Sequence, residues 1–307
     1  MPRISAVPLP LAALWLLAAC AAGRPVGYDP VTMDPPATDT LHPPTVDGFR
    51  AEVEGAALYG VAYLADGEGP HPTVLLLPGY PGYDRQLDLA HAIRRLGVNV
   101  LAFHFRGTWG SAGEMSLPNE IADVRAVVQL LTTDDGSRRY RTDPGRIALL
   151  GHSLGSWVAL TAAAQDPRIQ CVGGLAVTNV GPLARRAATD AAFREGWRRA
   201  VQSSVSPAGP VRVGAGDPTS AMVADPDAYD LLLRADALAP KAVLLVAGGR
   251  DNEAPPDAHH APLAAALRNA GARRLTAVIL DADHAFSSAR ISLARTVVGW
   301  LREGCGY

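Results

Sequence analysis

Apolar residues along the chain fall into short blocks separated by Gly-, Pro- and Asp-bearing turns, and the blocks switch between two periods. Phe49 to Val53 and Ala57 to Leu64 alternate as a leading hairpin would. Thr73 to Leu77 is a continuous apolar run, suited to a strand buried on both faces. Leu87 to Leu96 then has helical spacing, Val98 to Phe105 reads as a strand and Ile121 to Leu131 as a helix. The rhythm continues with a strand over Arg146 to Gly151, a helix over Ser153 to Gln165 and strands over Cys171 to Val177 and Val243 to Gly248. Pro262 to Ala270 (helix), Leu275 to Leu280 (strand) and Ile291 to Leu301 (helix) complete it. Such alternation predicts an α/β fold with a mostly parallel central sheet flanked by helices. Sites in these sheets lie beyond the carboxyl ends of the strands.

One interval breaks the rhythm. Between Val177 and Val243 there is no strand pattern, yet Trp197, Arg185-Arg186 and Arg198-Arg199 occur there among Pro and Gly. A segment this long inside one domain has its own helices or a function. It is expected to form a helical cap insertion over about 181–238. Its arginines face either an acidic substrate or plain solvent.

The N-terminus is a separate object. Arg3 gives a positive start, Leu9 to Ala19 is apolar except for Pro10, and small residues precede Cys20. The run is shorter than the roughly 20 apolar residues needed to span a bilayer. Leu17-Ala18-Ala19-Cys20 resembles the lipobox of bacterial lipoproteins, which implies a signal peptide over 1–19 and lipidation of Cys20. The protein would then be anchored to a membrane without spanning it, in the cell envelope. Ala21 after the cysteine resembles outer-membrane sorting in Gram-negative cells. Residues 20–47, rich in Pro, Thr and Asp, read as a linker, and 48–303 as one domain with its cap.

Composition narrows the partners. A formal net charge of −2 over 307 residues offers no basic face for nucleic acid. Beyond Cys20, only Cys171 and Cys305 remain. They form no CxxC pattern, so no metal or redox site is expected. An oxidising compartment permits a bridge between them, but Cys171 opens an apolar strand, and a free core cysteine is the more ordinary outcome.

The chemistry gathers on Gly151-His152-Ser153-Leu154-Gly155, which lies between an apolar strand and an Ala-rich helix. A strand-to-helix turn this sharp needs small residues two before and two after the serine, and it presents Ser153 at a helix N-terminus as a nucleophile. A serine hydroxyl needs a base and a group to orient that base. Asp251 follows the strand ending at Gly248, and His284 follows the strand ending at Leu280. Asp257 is the runner-up acid, and Asp281 and Asp283 flank the histidine. His104, His152, His259 and His260 are rival bases, placed less well by the strand pattern.

The order serine, acid, histidine and the Gly-x-Ser-x-Gly turn resemble the α/β-hydrolase superfamily, over about Phe49 to Leu301. The core also resembles esterases and prolyl-oligopeptidase-like catalytic domains. The resemblance implies an oxyanion hole of two backbone amides, those of Leu154 and Tyr80. Tyr80 lies in Leu77-Pro78-Gly79-Tyr80-Pro81-Gly82, which is similar to the family's His-Gly-x-x-Gly loop with Pro78 in place of the histidine. Arg106 to Ser111 looks like the family's Arg-Gly-x-Gly-x-Ser loop with an inserted aromatic. Arg106 is expected to tie loops together and Trp109 to wall the substrate pocket.

Three functions fit. The first is a serine hydrolase acting on carboxylic esters or related acyl substrates through an acyl-enzyme, with no cofactor or metal. The second is a peptidase on small peptides, which wants an acidic pair in the cap to hold a peptide amine. The third is a non-catalytic envelope lipoprotein using the fold as a binding module. Partners are therefore a small acyl ester or short peptide and a membrane; oligomeric state is unread.

Overall fold

The computed structural model describes residues 27–35 and 39–307, so the leader and Cys20 lie outside the described residues. The strands are β1 (Thr45–Val53), β2 (Ala56–Leu64), β3 (His71–Leu77), β4 (Asn99–Phe103), β5 (Thr142–His152), β6 (Cys171–Leu175), β7 (Ala242–Gly248) and β8 (Leu275–Leu280). They form one sheet in the order β1-β2-β4-β3-β5-β6-β7-β8. The β1–β2 and β2–β4 pairs are antiparallel, and every pair from β4 through β3 to β8 is parallel. β4, β6 and β7 are buried throughout, which is why their sequences are apolar runs without alternation. β1, at the sheet edge, alternates exposed and buried residues over its second half.

The helices are α1 (Leu87–Arg95), α2 (Leu117–Thr132), α3 (Asp134–Tyr140), α4 (Leu154–Gln165), α5 (Val180–Thr189), α6 (Ala191–Gln202), α7 (Ser220–Ala224), α8 (Ala235–Leu238), α9 (His260–Asn269) and α10 (Arg290–Glu303). β3 shows how they divide. Its Val74 and Leu76 pack with α1 and α10, while Leu75 and Leu77 pack with α2, α4 and α9, so helices cover both faces. α4 is buried on all sides, between the sheet, α2 and α8, and its small Ala and Gly residues permit that close packing.

Three departures from the sequence pattern have local causes. α3 is polar and carries Gly136, yet the Thr133 hydroxyl accepts from the Gly136 N–H at 3.1 Å, and Tyr140 packs 5.5 Å from Phe49. β4 ends at Phe103, two residues early, because the chain turns there to start the Arg106 loop. The expected linker is partly docked. Val31 is buried against the α1/α10 layer, and Arg95 donates to the carbonyls of Pro30 and Val31 at 2.6 and 3.0 Å.

Cys171 and Cys305 are disulfide-bonded, with Cα atoms 5.9 Å apart. The free-cysteine expectation is corrected. The turn after α10 brings Cys305 back to the start of β6, a proximity that nothing local in the sequence announces. Among the described residues no helix is long and apolar enough to cross a membrane.

Candidate active site

Ser153 stands between β5 and α4 with φ 53° and ψ −124°, a conformation seldom adopted by a side-chain-bearing residue. The surroundings impose it. The Ser153 N–H donates to the Leu175 carbonyl at 2.8 Å, and the Ser156 amide and hydroxyl donate to the Ser153 carbonyl at 2.9 and 2.5 Å. A Cβ on Gly151 would lie 1.9 Å from the Gly155 oxygen, and one on Gly155 would lie 2.4 Å from the Pro78 oxygen. Both obstacles are backbone, so only glycine fits at either end of the turn.

The loop after β3 closes against the serine. A Cβ on Gly79 would meet Ser153 Cβ at 2.9 Å, so Gly79 allows the Tyr80 backbone to pass beside Ser153. Leu154 opens α4, and its N–H is among those a helix start leaves without an intrahelical acceptor. The Tyr80 hydroxyl does not hang free over the serine. It donates to the Val201 carbonyl at 2.5 Å, tying the loop to the end of α6, and burial pushes its pKa up to about 12.

Asp251, after β7, and His284, after β8, meet at 2.7 Å between Oδ2 and Nδ1. The other Asp251 oxygen accepts from the Glu253 and Ala254 amides, each at 2.8 Å. Burial raises the Asp251 pKa, but these hydrogen bonds and the charge of His284 outweigh it and hold the acid below its ordinary value. Burial likewise opposes charging His284, and the hydrogen bond to Asp251 with the charges of Asp251, Glu253 and Asp283 overcomes it, raising the imidazole pKa. His152 joins the two parts. Burial pushes its pKa down to about 4, so it is neutral, and Nε2–H donates to the His284 carbonyl at 2.9 Å.

A cavity of about 340 Å³ opens on Ser153 and Leu154. The core supplies Tyr80 and Met115 to Pro118, and α5 to α7 with their connections supply Leu183, Trp197, Val201, Val213 and Met222. Polar contacts help hold this cap, beside the buried side chains of Val180, Leu231 and Leu238. Arg185 pairs with Asp227 and Asp230, Asn179 Nδ2 donates to Asp230 at 2.7 Å, and Trp157 Nε1 donates to the Tyr229 carbonyl at 2.8 Å.

A model of the alpha/beta hydrolase family matches residues 74–297. The chain belongs to this family. An uncharacterized protein of Mycobacterium tuberculosis (strain H37Rv) is 34% identical over 142 residues, 46% of this chain and 48% of that protein. Thiohydrolase apmlB of Arthrinium phaeospermum is 30% identical over 154 residues, 47% of this chain and 48% of its own length. The chain thus spans about half the length of these relatives. Among solved structures, ferulic acid-bound Est1E from Butyrivibrio proteoclasticus superposes with TM-score 0.64 at 16% identity, covering 84% of this chain and 100% of that one. The esterase Pf2001 from Pyrococcus furiosus gives 0.60 at 18%, covering 89% and 100%. At these identities the likeness is one of fold.

In this alpha/beta hydrolase, Asp251 rather than Asp257 meets His284. Asp257 is exposed, Asp281 pairs with Arg250, and Asp283 accepts from the Ser287 amide. The expectation for Trp109 is corrected: it is not among the residues that line the cavity. Its ring packs edge-on to Tyr83, and Nε1 donates to the Pro81 carbonyl at 2.6 Å, so it braces the loop after β3 from outside. Arg106 does tie loops together, through Asp123 at 2.6 Å, Glu54 at 2.7 Å and the Asn119 carbonyl at 3.2 Å. The cap arginines are spent within the cap. Arg185 is paired as above, Arg186 lies 4.2 Å over the Phe193 ring, and Arg198 and Arg199 share Glu195. The same pairing occupies Asp227 and Asp230, which therefore form no free acidic pair for a peptide amine.

Sequence reasoning missed two residues. His152 entered the sequence reading only as a rival base, and only the reach of the loop after β8 across to the end of β5 shows that it holds His284. Glu253, two residues after the acid, has Oε2 3.9 Å from His284 Nε2. Its nearness to Asp251 along the chain was the available signal. Among the described residues no group of three or more His, Cys, Asp or Glu is placed to hold a metal ion.

Proposed function

We propose that the chain is a serine hydrolase of carboxylic esters and related acyl compounds. The observation that carries the reading is the pairing of buried Asp251 with His284 at 2.7 Å, at the sheet end where the strained turn presents Ser153. Ser153 Oγ attacks the substrate carbonyl as His284 Nε2 takes its proton. Asp251 fixes the tautomer and steadies the imidazolium, and the Tyr80 and Leu154 amides receive the oxyanion. His284 then protonates the leaving group, and water hydrolyses the acyl-enzyme by the same steps in reverse. Similarity to a thiohydrolase supports including thioesters among the substrates. The test is labelling by a fluorophosphonate probe. Wild-type protein should label and Ser153→Ala should not; a wild-type protein that stays unlabelled overturns the reading.

The same proposal extends to location: Cys20 is lipidated and holds the enzyme on a membrane outside the cytoplasm. The Cys171–Cys305 disulfide supports this, since such bonds persist in oxidising compartments. Cys20→Ser should move the protein from the membrane fraction to the soluble one; unchanged retention rejects the anchor.

A further inference from the structure

The serine-hydrolase reading leaves open which half of an ester occupies the cavity. The lining residues include Ser153 and the oxyanion candidates Tyr80 and Leu154, but not His284, Asp251 or Glu253. The leaving group has to lie where His284 Nε2 can protonate it. The half that stays on Ser153 lies on the other side. On the His284 side stands Glu253, its side chain 77% exposed, so that side opens to water. On the cavity side the wall is built from Met115, Leu117, Leu183, Trp197, Val201 and Met222, and it contains no Lys or Arg. Its one acidic side chain, Asp217, is tethered through Oδ1 to the Thr219 amide and hydroxyl at 2.8 and 2.7 Å.

We infer that this cavity is the acyl pocket, that it takes an uncharged, apolar acyl group of medium length, and that the alcohol or thiol leaves on the open side past His284. This inference rests on the proposed Ser153 chemistry. A carboxylate on the far end of the acyl chain would be desolvated among apolar side chains with no cation in the cavity lining to receive it, beside Asp217. An apolar chain gains by the same burial. The ester bond of the acyl-enzyme forms at Ser153 Oγ, and the proton taken from that hydroxyl departs on the leaving oxygen or sulfur.

The discriminating experiment uses two isomeric esters of equal composition, methyl octanoate and heptyl acetate, with the full-length protein in detergent. Methyl octanoate should be favoured in kcat/KM by about tenfold or more, because only it places the long chain on the acyl side. Parity, or preference for heptyl acetate, overturns the inference. The monomethyl ester of octanedioic acid should react about tenfold more slowly than methyl octanoate; equal rates overturn the exclusion of charge. Asp217→Asn should narrow that second ratio, and an unchanged ratio removes Asp217 from the account. Fluorophosphonate labelling of Ser153 on the same preparation separates the two levels. Labelling with the wrong ester preference sinks only the acyl assignment, while absence of labelling sinks the serine-hydrolase reading beneath it.

Discussion

The turn at Ser153 and the cap above it lie on opposite walls of one cavity but are held by different forces. Around Ser153 the constraint is steric: a carbon added at Gly151 or Gly155 would strike backbone, and one added at Gly79 would strike Ser153 Cβ, each under 3 Å away. In the cap, α6 and α7 bury no residue fully, and ion pairs, the Asn179–Asp230 bond and the stacking of Tyr229 on Trp157 hold the segment. Close-packed backbone cannot relax, so Ser153 keeps one geometry. α6 and α7, which bury no residue fully, are the less constrained side, and their part of the lining can vary without loss of the core. Under the proposed function, position of the reacting atom and choice of substrate fall to parts of different stiffness.

The largest effects should come from the stiff side. Ser153→Ala is expected to lower kcat by about 10⁶-fold with little change in folding, measured by steady-state ester hydrolysis beside circular dichroism. A residual rate well above that would place the nucleophile elsewhere. Asp251→Asn should cost about 10⁴-fold, by leaving His284 in the wrong tautomer. Loss of the Cys171–Cys305 bond, which closes a separation of 134 residues, should lower stability by about 4 kcal/mol, read as a fall in denaturation midpoint in Cys305→Ser.

The soft side should answer more gently and in different quantities. Asp230→Ala strips Arg185 and Asn179 of a shared acceptor, and should raise KM several-fold while kcat changes less. If kcat falls as far as it does in Asp251→Asn, cap and turn are not separable. The smallest effect concerns pH. His284 must be neutral to accept a proton and its pKa is raised above the ordinary imidazole value, so kcat/KM should fall as pH drops through that higher value. Glu253→Gln removes one of the charges that raise it and should move this limb to lower pH, with the plateau rate retained. In stability the sign reverses: the contribution of the raised imidazole pKa is complete below its unfolded value and is lost as pH rises through the folded one.

Strands and helices of the core were legible because two-sided burial writes itself as apolar runs and one-sided burial as a period. The serine turn was legible for a related reason: its requirement for glycine is local, felt within five residues. α3 was not, since its stability comes from one cap and one distant aromatic contact, not from its own composition. Trp109 misled because an aromatic near a site loop says nothing about the side from which it packs. Cys305 gave no hint of Cys171 because their meeting depends on how α10 lies across the sheet.

The amino-acid sequence alone determined the alternating α/β architecture and the glycine-flanked serine turn, because these follow from periodicity and short-range steric need, while the order of nucleophile, acid and base candidates was read from resemblance to a known family. Only the tertiary structure decided that Asp251 and not Asp257 reaches His284, that His152 holds the loop carrying it, and that the cavity beside Ser153 is lined mostly by apolar residues and not by His284. Those facts depend on which loop ends the packed strands bring together, and contacts between residues more than thirty positions apart leave no pattern along a single chain.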